Sequence, residues 1–226
     1  MFVIALVLPI VALVGTNNLS TAIIILGIAV IVVFVSDKRY MQFVWIAAAG
    51  AGMMALFLGM ESYRLERIAI WKNPEAYEKG YQTIQGLYAI GSGGLFGRGF
   101  GESIQKLGFV PEAQNDMIFS IICEELGFVG ATILMLVFLV LIWRFMVIAV
   151  HAPDLFGSLI AAGAMGHIAI QVILNVAVVT NTIPNTGITL PFISYGGTSV
   201  LFLLSERGWF WQLAGGKARK NAYDNF

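Results

Sequence analysis

The sequence predicts an all-α polytopic membrane protein with about six transmembrane helices and one long extracytoplasmic loop. Hydrophobic residues make up 58% of the 226 positions and charged residues only 12%, values far outside the range of soluble domains. The mean hydropathy is +0.84, and six apolar runs reach or approach the roughly 20 residues that cross a bilayer. The formal net charge is zero, so there is no basic footprint for nucleic acid. We therefore expect a bilayer-embedded chain with no nucleic-acid partner.

The apolar runs follow one another through a single predicted helical membrane domain, residues 1–226. The first run is short, and a chain that opens within an apolar run suggests an N-terminal boundary inside a larger protein. Basic residues between the second and third runs and in the tail mark the cytoplasmic side, so the loop at 61–116 should face outside. The predicted spans are residues 2–14, 20–35, 42–60, 117–147, 158–180 and 198–213.

The loop at 61–116 has two halves of different character. The first mixes charged and aromatic residues at intervals that suit short amphipathic helices or interfacial anchors. The second reads GSGGLFGRGFGESIQK, with six glycines in eleven residues. Glycine lets the backbone approach a ligand closely, and cations beside glycine-rich backbone suit phosphate oxygens. We expect substrate contacts from Gly93, Gly94, Arg98 and Lys106, although lipid headgroups are an alternative partner for the two cations.

An aspartate stands immediately before the fourth predicted span, in VPEAQNDMIFSIICEELG. Pro111 ends any preceding helix, and Asn115 or Asp116 can cap the helix that follows. The N-terminus of a helix should hold a capping carboxylate ionised, and Asp116 could then accept a proton from an incoming hydroxyl. The sequence leaves both roles open.

Polar residues continue into two of the predicted spans. Asp116, Ser120 and Glu124 recur at i, i+4 and i+8 and share one helix face, which lipid does not tolerate. Glu124 and Glu125 could instead be structural partners of other helices or loops, the preferred interpretation for Glu125. His167, Gln171 and Asn175 form a second stripe that interhelical hydrogen bonding explains without chemistry. The only histidines are His151 and His167, and no metal-ligand spacing is present.

Two segments together resemble one family. GSGGLFGRGFGESIQKLGFVPEAQNDMIFSIICEELGFVGA and NVAVVTNTIPNTGITLPFISYGGTS resemble the SEDS proteins FtsW, RodA and SpoVE of bacterial division, elongation and sporulation, with wording closest to FtsW and SpoVE. The resemblance implies a fold of about ten spans, of which this chain would be the second half. It implies a multi-pass protein of the cytoplasmic (inner) membrane, with its site facing outside. The implied activity is peptidoglycan glycosyl transfer, polymerising lipid II beside a class B penicillin-binding transpeptidase and other divisome membrane proteins.

The resemblance also assigns residues. Asp116 matches the essential loop aspartate, and the implied substrate contacts in the last outer loop are Pro184, Thr186, Gly187, Pro191, Ser194, Gly196 and Gly197. We also expect a substrate contact from Glu112, and supporting roles for three residues of the polar stripes, Ser120, Glu124 and Asn175. The chain departs from the sequence motifs of the family in two places. Gln114-Asn115 stands where H-T is common, and Asn18 replaces an aspartate in TNNLSTA.

The implied reaction is an inverting displacement of undecaprenyl pyrophosphate. Asp116 would deprotonate the acceptor 4-hydroxyl, while Arg98 and Lys106 would stabilise the leaving group. No cofactor is certain, and a divalent cation such as Mg²⁺ is a candidate for stabilising the same charge. Two other functions stay open: a flippase or transporter of the lipid-linked precursor, and a noncatalytic divisome scaffold.

Overall fold

A computed structural model describes residues 2–36, 44, 45, 48–50, 52 and 62–196. Every regular element in these residues is a helix. Among the described residues, three helices are long and apolar enough to cross a membrane: Leu19–Ser36, Ile118–His151 and Leu155–Val179. The predicted spans at 42–60 and 198–213 lie mostly or wholly outside the described residues, as does the predicted site residue Gly197.

The first two helices are α1, Phe2–Asn17, and α2, Leu19–Ser36. They correspond to the predicted spans at 2–14 and 20–35. Asn18 separates them, and its side-chain oxygen accepts a hydrogen bond of 3.1 Å from the Thr21 amide. This is the geometry of a helix N-cap, which a neutral asparagine satisfies as well as an aspartate does.

The outer loop contains helices, as its alternation of charged and aromatic residues predicts. Helix α3 is Ser62–Lys72 and helix α4 is Tyr81–Gly93. Short 3₁₀ turns at Pro74–Ala76 and Glu78–Gly80 connect α3 to α4, and a third lies at Gln105–Leu107.

The two longest helices are α5, Ile118–His151, and α6, Leu155–Val179, which correspond to the spans predicted at 117–147 and 158–180. Helix α5 is interrupted at Gly127, whose φ of +67° and ψ of −169° are not helical. The continuous part after the break, residues 128–151, is roughly 36 Å long at 1.5 Å per residue. That part alone is long enough to cross a hydrocarbon core of about 30 Å.

The chain packs as two compact units. One contains the described residues of 1–53 and 140–170, and in it Ile170 lies against Gly27 while Ile31 lies against Gly166. The other comprises residues 54–139 and 171–196 and contains every described residue of the candidate site. The single helical domain predicted over residues 1–226 stays a prediction.

Candidate functional site

A cavity of about 450 Å³ lies in the unit formed by residues 54–139 and 171–196. Helices α3 and α4, the turn before α5 and the loop after α6 contribute its walls. Asp116 lies on this lining with Gln82 and Thr186. A polar group of a ligand that enters this cavity can therefore reach the predicted catalytic carboxylate.

Asp116 is held in a largely desolvated position. It is only 7% exposed, and both of its carboxylate oxygens lie 3.4 Å from the side-chain nitrogen of Gln82. Burial raises the pKa of the Asp116 carboxyl above its ordinary value, and the negative charge of Glu112 adds to the rise. Hydrogen bonds from main-chain amides at Asp116 and Met117 and from Gln82 lower this pKa without cancelling the increase. Desolvation thus outweighs these hydrogen bonds, and the expectation that Asp116 is ionised stays a prediction.

Hydrogen bonds to three successive carbonyl groups fix the backbone that leads to Asp116. The carbonyl oxygens of residues 114, 115 and 116 accept hydrogen bonds from the Tyr195 amide, the Ser194 hydroxyl and the Asn175 side chain. These bonds measure 2.8, 2.7 and 2.8 Å respectively. We call this set of three bonds the carbonyl clamp. It joins the turn before α5 to α6 and to the loop that follows α6.

The clamp residues are themselves held in place. Asn175 is fully buried and also donates a 2.7 Å bond to the Ile188 carbonyl. The Ser194 oxygen accepts a 2.7 Å bond from the Leu190 amide. Asn175 therefore makes a structural hydrogen bond, as expected for the polar stripe of His167, Gln171 and Asn175. The acceptor of this bond is the backbone carbonyl of Asp116, the predicted catalytic residue.

Ser120 and Glu124 are fully buried, so the predicted polar face of α5 points into the protein. The Glu124 carboxylate accepts hydrogen bonds from the Ser103 hydroxyl at 2.5 Å and the Gln105 amide at 3.2 Å. It also lies 3.6 Å from the Arg98 guanidinium. Glu124 is thus a structural partner of the outer loop, one of the two interpretations that the sequence left open.

The glycine-rich segment completes the hydrogen bonding of the broken helix. Before the break, the Arg98 amide donates to the Glu124 carbonyl and the Gly99 amide to the Glu125 carbonyl, each at 3.0 Å. The amides of residues 128 and 129, after the break, donate to the carbonyls of residues 94 and 95 at 2.9 and 3.0 Å. A helix interruption leaves amides and carbonyls without intrahelical partners, and this segment supplies them.

Such docking requires glycine at the closest contacts. A Cβ atom on Gly97 would overlap the carbonyl of Glu125, and one on Gly93 would overlap the carbonyl of Cys123. Gly93 thus approaches the backbone of α5, and the Gly94 carbonyl accepts a bond from the Phe128 amide. The predicted contact of these two glycines with a ligand stays a prediction.

Arg98 and Lys106 have protein partners in this structure. Arg98 pairs with Glu124, while the Lys106 ammonium lies 2.7 Å from Glu125 and 2.5 Å from the Gly101 carbonyl. Neither belongs to the lining of the cavity that holds Asp116. Their predicted contact with a leaving pyrophosphate stays a prediction that this placement does not support.

Two cations that the sequence analysis did not select do line the cavity, Arg67 and Lys79. Arg67 donates a 3.3 Å bond to the Asn185 carbonyl, and Lys79 lies 2.9 Å from Glu66. Trp71 lines the same cavity one helical turn after Arg67. The i, i+4 spacing of Arg67 and Trp71 on α3 was a signal that could have identified Arg67; Lys79, in the turn Glu78–Gly80, had no such signal.

The predicted residues of the loop after α6 divide into two groups. Thr186 and Gly187 line the cavity, whereas Pro184, Pro191 and Gly196 do not. Pro191 is buried, within the turn that Ser194 closes.

Glu112 lies outside the lining and shapes the turn before Asp116. Its φ is +54°, its side chain bonds the Asn115 side chain, and its carbonyl accepts the amides of Asn115 and Met117. Its predicted contact with substrate stays a prediction. Within the described residues, no cluster of three or more His, Cys, Asp or Glu side chains could hold a metal ion. The divalent cation therefore also stays a prediction.

Comparison with known proteins identifies the family. The FtsW, RodA and SpoVE profile, described as cell cycle protein, matches residues 1–215. The chain belongs to this family. It is 47% identical to stage V sporulation protein E of Bacillus subtilis over 194 residues, covering 84% of this chain and 53% of that protein. It is 41% identical to the probable peptidoglycan glycosyltransferase FtsW of Trichlorobacter lovleyi, covering 84% and 51%.

Solved structures agree with the FtsW/RodA/SpoVE assignment. A peptidoglycan synthase complex that coordinates polymerization and crosslinking superposes with a TM-score of 0.74 at 29% identity, over 92% of this chain and 59% of that one. A mutant of the rod shape-determining protein RodA of Thermus thermophilus gives 0.62 at 28% identity, over 92% and 54%. The chain spans about half the length of the relatives it matches. It is a multi-pass helical protein of the bacterial inner membrane.

Proposed function

We propose that this chain forms the catalytic part of a peptidoglycan glycosyltransferase that polymerises lipid II into glycan strands during cell division or sporulation. The observation that carries the proposal is the position of Asp116, a buried carboxylate on the wall of a polar cavity. Its raised pKa makes it a better proton acceptor than an ordinary aspartate. Relatives named as probable peptidoglycan glycosyltransferases support the reaction class.

The proposed chemistry needs one base. The Asp116 carboxylate accepts the proton of the acceptor sugar's 4-hydroxyl as that oxygen attacks the anomeric carbon of the donor. The bond from that carbon to the pyrophosphate oxygen breaks, undecaprenyl pyrophosphate leaves with the electron pair, and the anomeric centre inverts. Arg67 and Lys79 supply positive charge on the lining of the same cavity.

The partner we propose is a class B penicillin-binding transpeptidase, together with other divisome membrane proteins. One solved structural relative is a synthase complex that coordinates polymerization with crosslinking. A chain of this fold would supply the polymerising subunit, and the transpeptidase would crosslink its product.

The test is lipid II polymerisation by the full-length protein purified with its cognate transpeptidase. Asp116→Asn keeps the size of the side chain and removes the base, so glycan synthesis should fall at least about 100-fold. Asp154→Asn is a matched control, because Asp154 is an exposed aspartate outside the cavity, and it should retain the native rate.

Three results would contradict the proposal or its assignment of the base. Full glycan synthesis by Asp116→Asn would remove this residue from the chemistry. A folded native complex that moves lipid II across vesicles without making glycan would favour the flippase, and one that does neither would favour the scaffold.

A further inference from the structure

Three large apolar side chains between Gly94 and Gly101 of the glycine-rich segment are exposed. Leu95 is 64% exposed, Phe96 80% and Phe100 86%, relative to the rest of the chain. We call these three residues the apolar loop surface. Side chains of this size rarely remain this exposed in water, so an apolar cluster of this kind marks a contact with something else.

The backbone beneath this surface is fixed. Four hydrogen bonds connect residues 94–99 to α5 on both sides of Gly127. A bulkier residue at Gly97 or Gly127 would overlap the opposing backbone, so the two chain segments are in direct contact. The apolar loop surface is consequently presented by a docked segment and cannot fold back without breaking these bonds.

The surface is continuous with the exposed apolar face of a membrane helix. The amides of Phe128 and Val129 donate hydrogen bonds to the carbonyls of Gly94 and Leu95, respectively. The apolar loop surface therefore adjoins the start of the continuous part of α5. On α5, Phe128 is 67% exposed, and Ile133 and Leu136, at 57% and 55%, continue along the helix. Helix α5 has the length and hydropathy of a transmembrane span, and lipid is the environment that such a face fits.

The two cations beside this surface are paired. Arg98 lies 3.6 Å from the buried carboxylate of Glu124, and Lys106 lies 2.7 Å from the partly exposed carboxylate of Glu125. Paired charges are tolerated near hydrocarbon far better than isolated ones. Neither cation therefore prevents the segment from lying at the membrane boundary.

We propose that Leu95, Phe96 and Phe100 insert into the bilayer leaflet on the Asp116 side, as an extension of the lipid-facing surface of α5. The occupant of this surface is hydrocarbon and interfacial lipid. The segment that completes the broken helix thereby also anchors the outer loop to the membrane. This inference concerns the position of the loop and does not depend on the proposed glycosyl transfer.

The experiment uses the full-length protein reconstituted in liposomes, with Cys123 replaced by Ala and any other reactive cysteine removed. Single cysteines at Phe96 and at Phe100 carry an environment-sensitive fluorophore. Glu102→Cys is the matched control, because Glu102 is an exposed polar residue two positions after Phe100. Brominated lipid chains and aqueous iodide are the two quenchers, and size-exclusion chromatography verifies that each labelled protein is folded.

We expect brominated lipid to quench the probes at positions 96 and 100 at least about threefold more than the probe at 102, with iodide giving the reverse order. Equal iodide quenching at all three positions would overturn the proposal. Shielding from both quenchers would also overturn it, because another part of the protein would then cover the surface. Shielding that appears only when the transpeptidase is added would identify a protein interface instead.

Discussion

Replacing individual glycines by alanine tests whether the glycine-rich segment docks into the break of α5. Three glycines close together in the chain differ in what a Cβ atom would meet. Gly91 lies in α4 with open space around it, and Gly94 has open space but a φ of +55°. Gly97 has a φ of +78°, and its Cβ would overlap the Glu125 carbonyl and lie 2.7 Å from the Gly127 nitrogen.

These differences predict effects of opposite sign on the free energy of unfolding. Gly91→Ala should stabilise the protein by about 0.5–1 kcal/mol, because alanine is the better helix former. Gly94→Ala should destabilise it by about 1–3 kcal/mol, the cost of an unfavourable backbone conformation. Gly97→Ala adds a clash with backbone atoms, which cannot rotate away as a side chain can. Its cost should reach about 4 kcal/mol or more, a range that core disruption produces.

The assay is thermal denaturation of the full-length protein and the three variants in the same detergent. We expect the midpoints to fall in the order Gly91→Ala, native, Gly94→Ala, Gly97→Ala. If Gly97→Ala denatures at the same temperature as Gly94→Ala, the close contact between this segment and α5 does not exist, and the account of the helix break is wrong.

Two further predictions concern Asp116. Asn175→Ala removes two bonds to the buried carbonyls of Asp116 and Ile188; it should cost about 2–5 kcal/mol of stability by thermal denaturation and reduce glycan synthesis, whereas unchanged stability would contradict the carbonyl clamp. Because Asp116 acts ionised and burial raises its pKa, polymerisation should decline as the pH falls through that raised pKa. The acid limb of a pH–rate profile should move to lower pH in Glu112→Gln, which removes a neighbouring negative charge, and to higher pH in Gln82→Leu, which removes a hydrogen bond to the carboxylate. Shifts in the same direction would refute this assignment.

The sequence was sufficient for three of the predicted membrane helices, and it singled out Asp116, whose catalytic role stays a prediction. Hydropathy over a span is a sum of many residues, so α2, α5 and α6 are recognisable without knowledge of their packing. Asp116 is conspicuous because a carboxylate at the edge of an apolar run has few purely structural explanations. The buried face of Ser120 and Glu124 follows from helical spacing alone.

The role of the glycine-rich segment was not predictable in the same way. Glycines beside cations fit a phosphate site and fit equally a loop that approaches another backbone. The deciding fact is the break at Gly127, and an isolated glycine within an apolar run usually leaves a helix intact. Arg98 and Lys106 were assigned to substrate for the same reason, because their partners Glu124 and Glu125 are adjacent only once the segment docks.

The arrangement around Asp116 separates rigidity from reactivity. Its backbone is fixed by the carbonyl clamp, in which an amide, a hydroxyl and a side-chain amide donate at 2.7–2.8 Å. The side-chain bonds to its carboxylate are weaker by comparison, since those from Gln82 are 3.4 Å long and bonds of that length are weak; main-chain amides at Asp116 and Met117 also donate to it. All three clamp donors are neutral, so they position the residue without a positive charge that would lower its pKa. A base needs such a combination: a fixed backbone places the oxygen atoms beside the cavity, and weak side-chain bonding leaves a lone pair available for the proton.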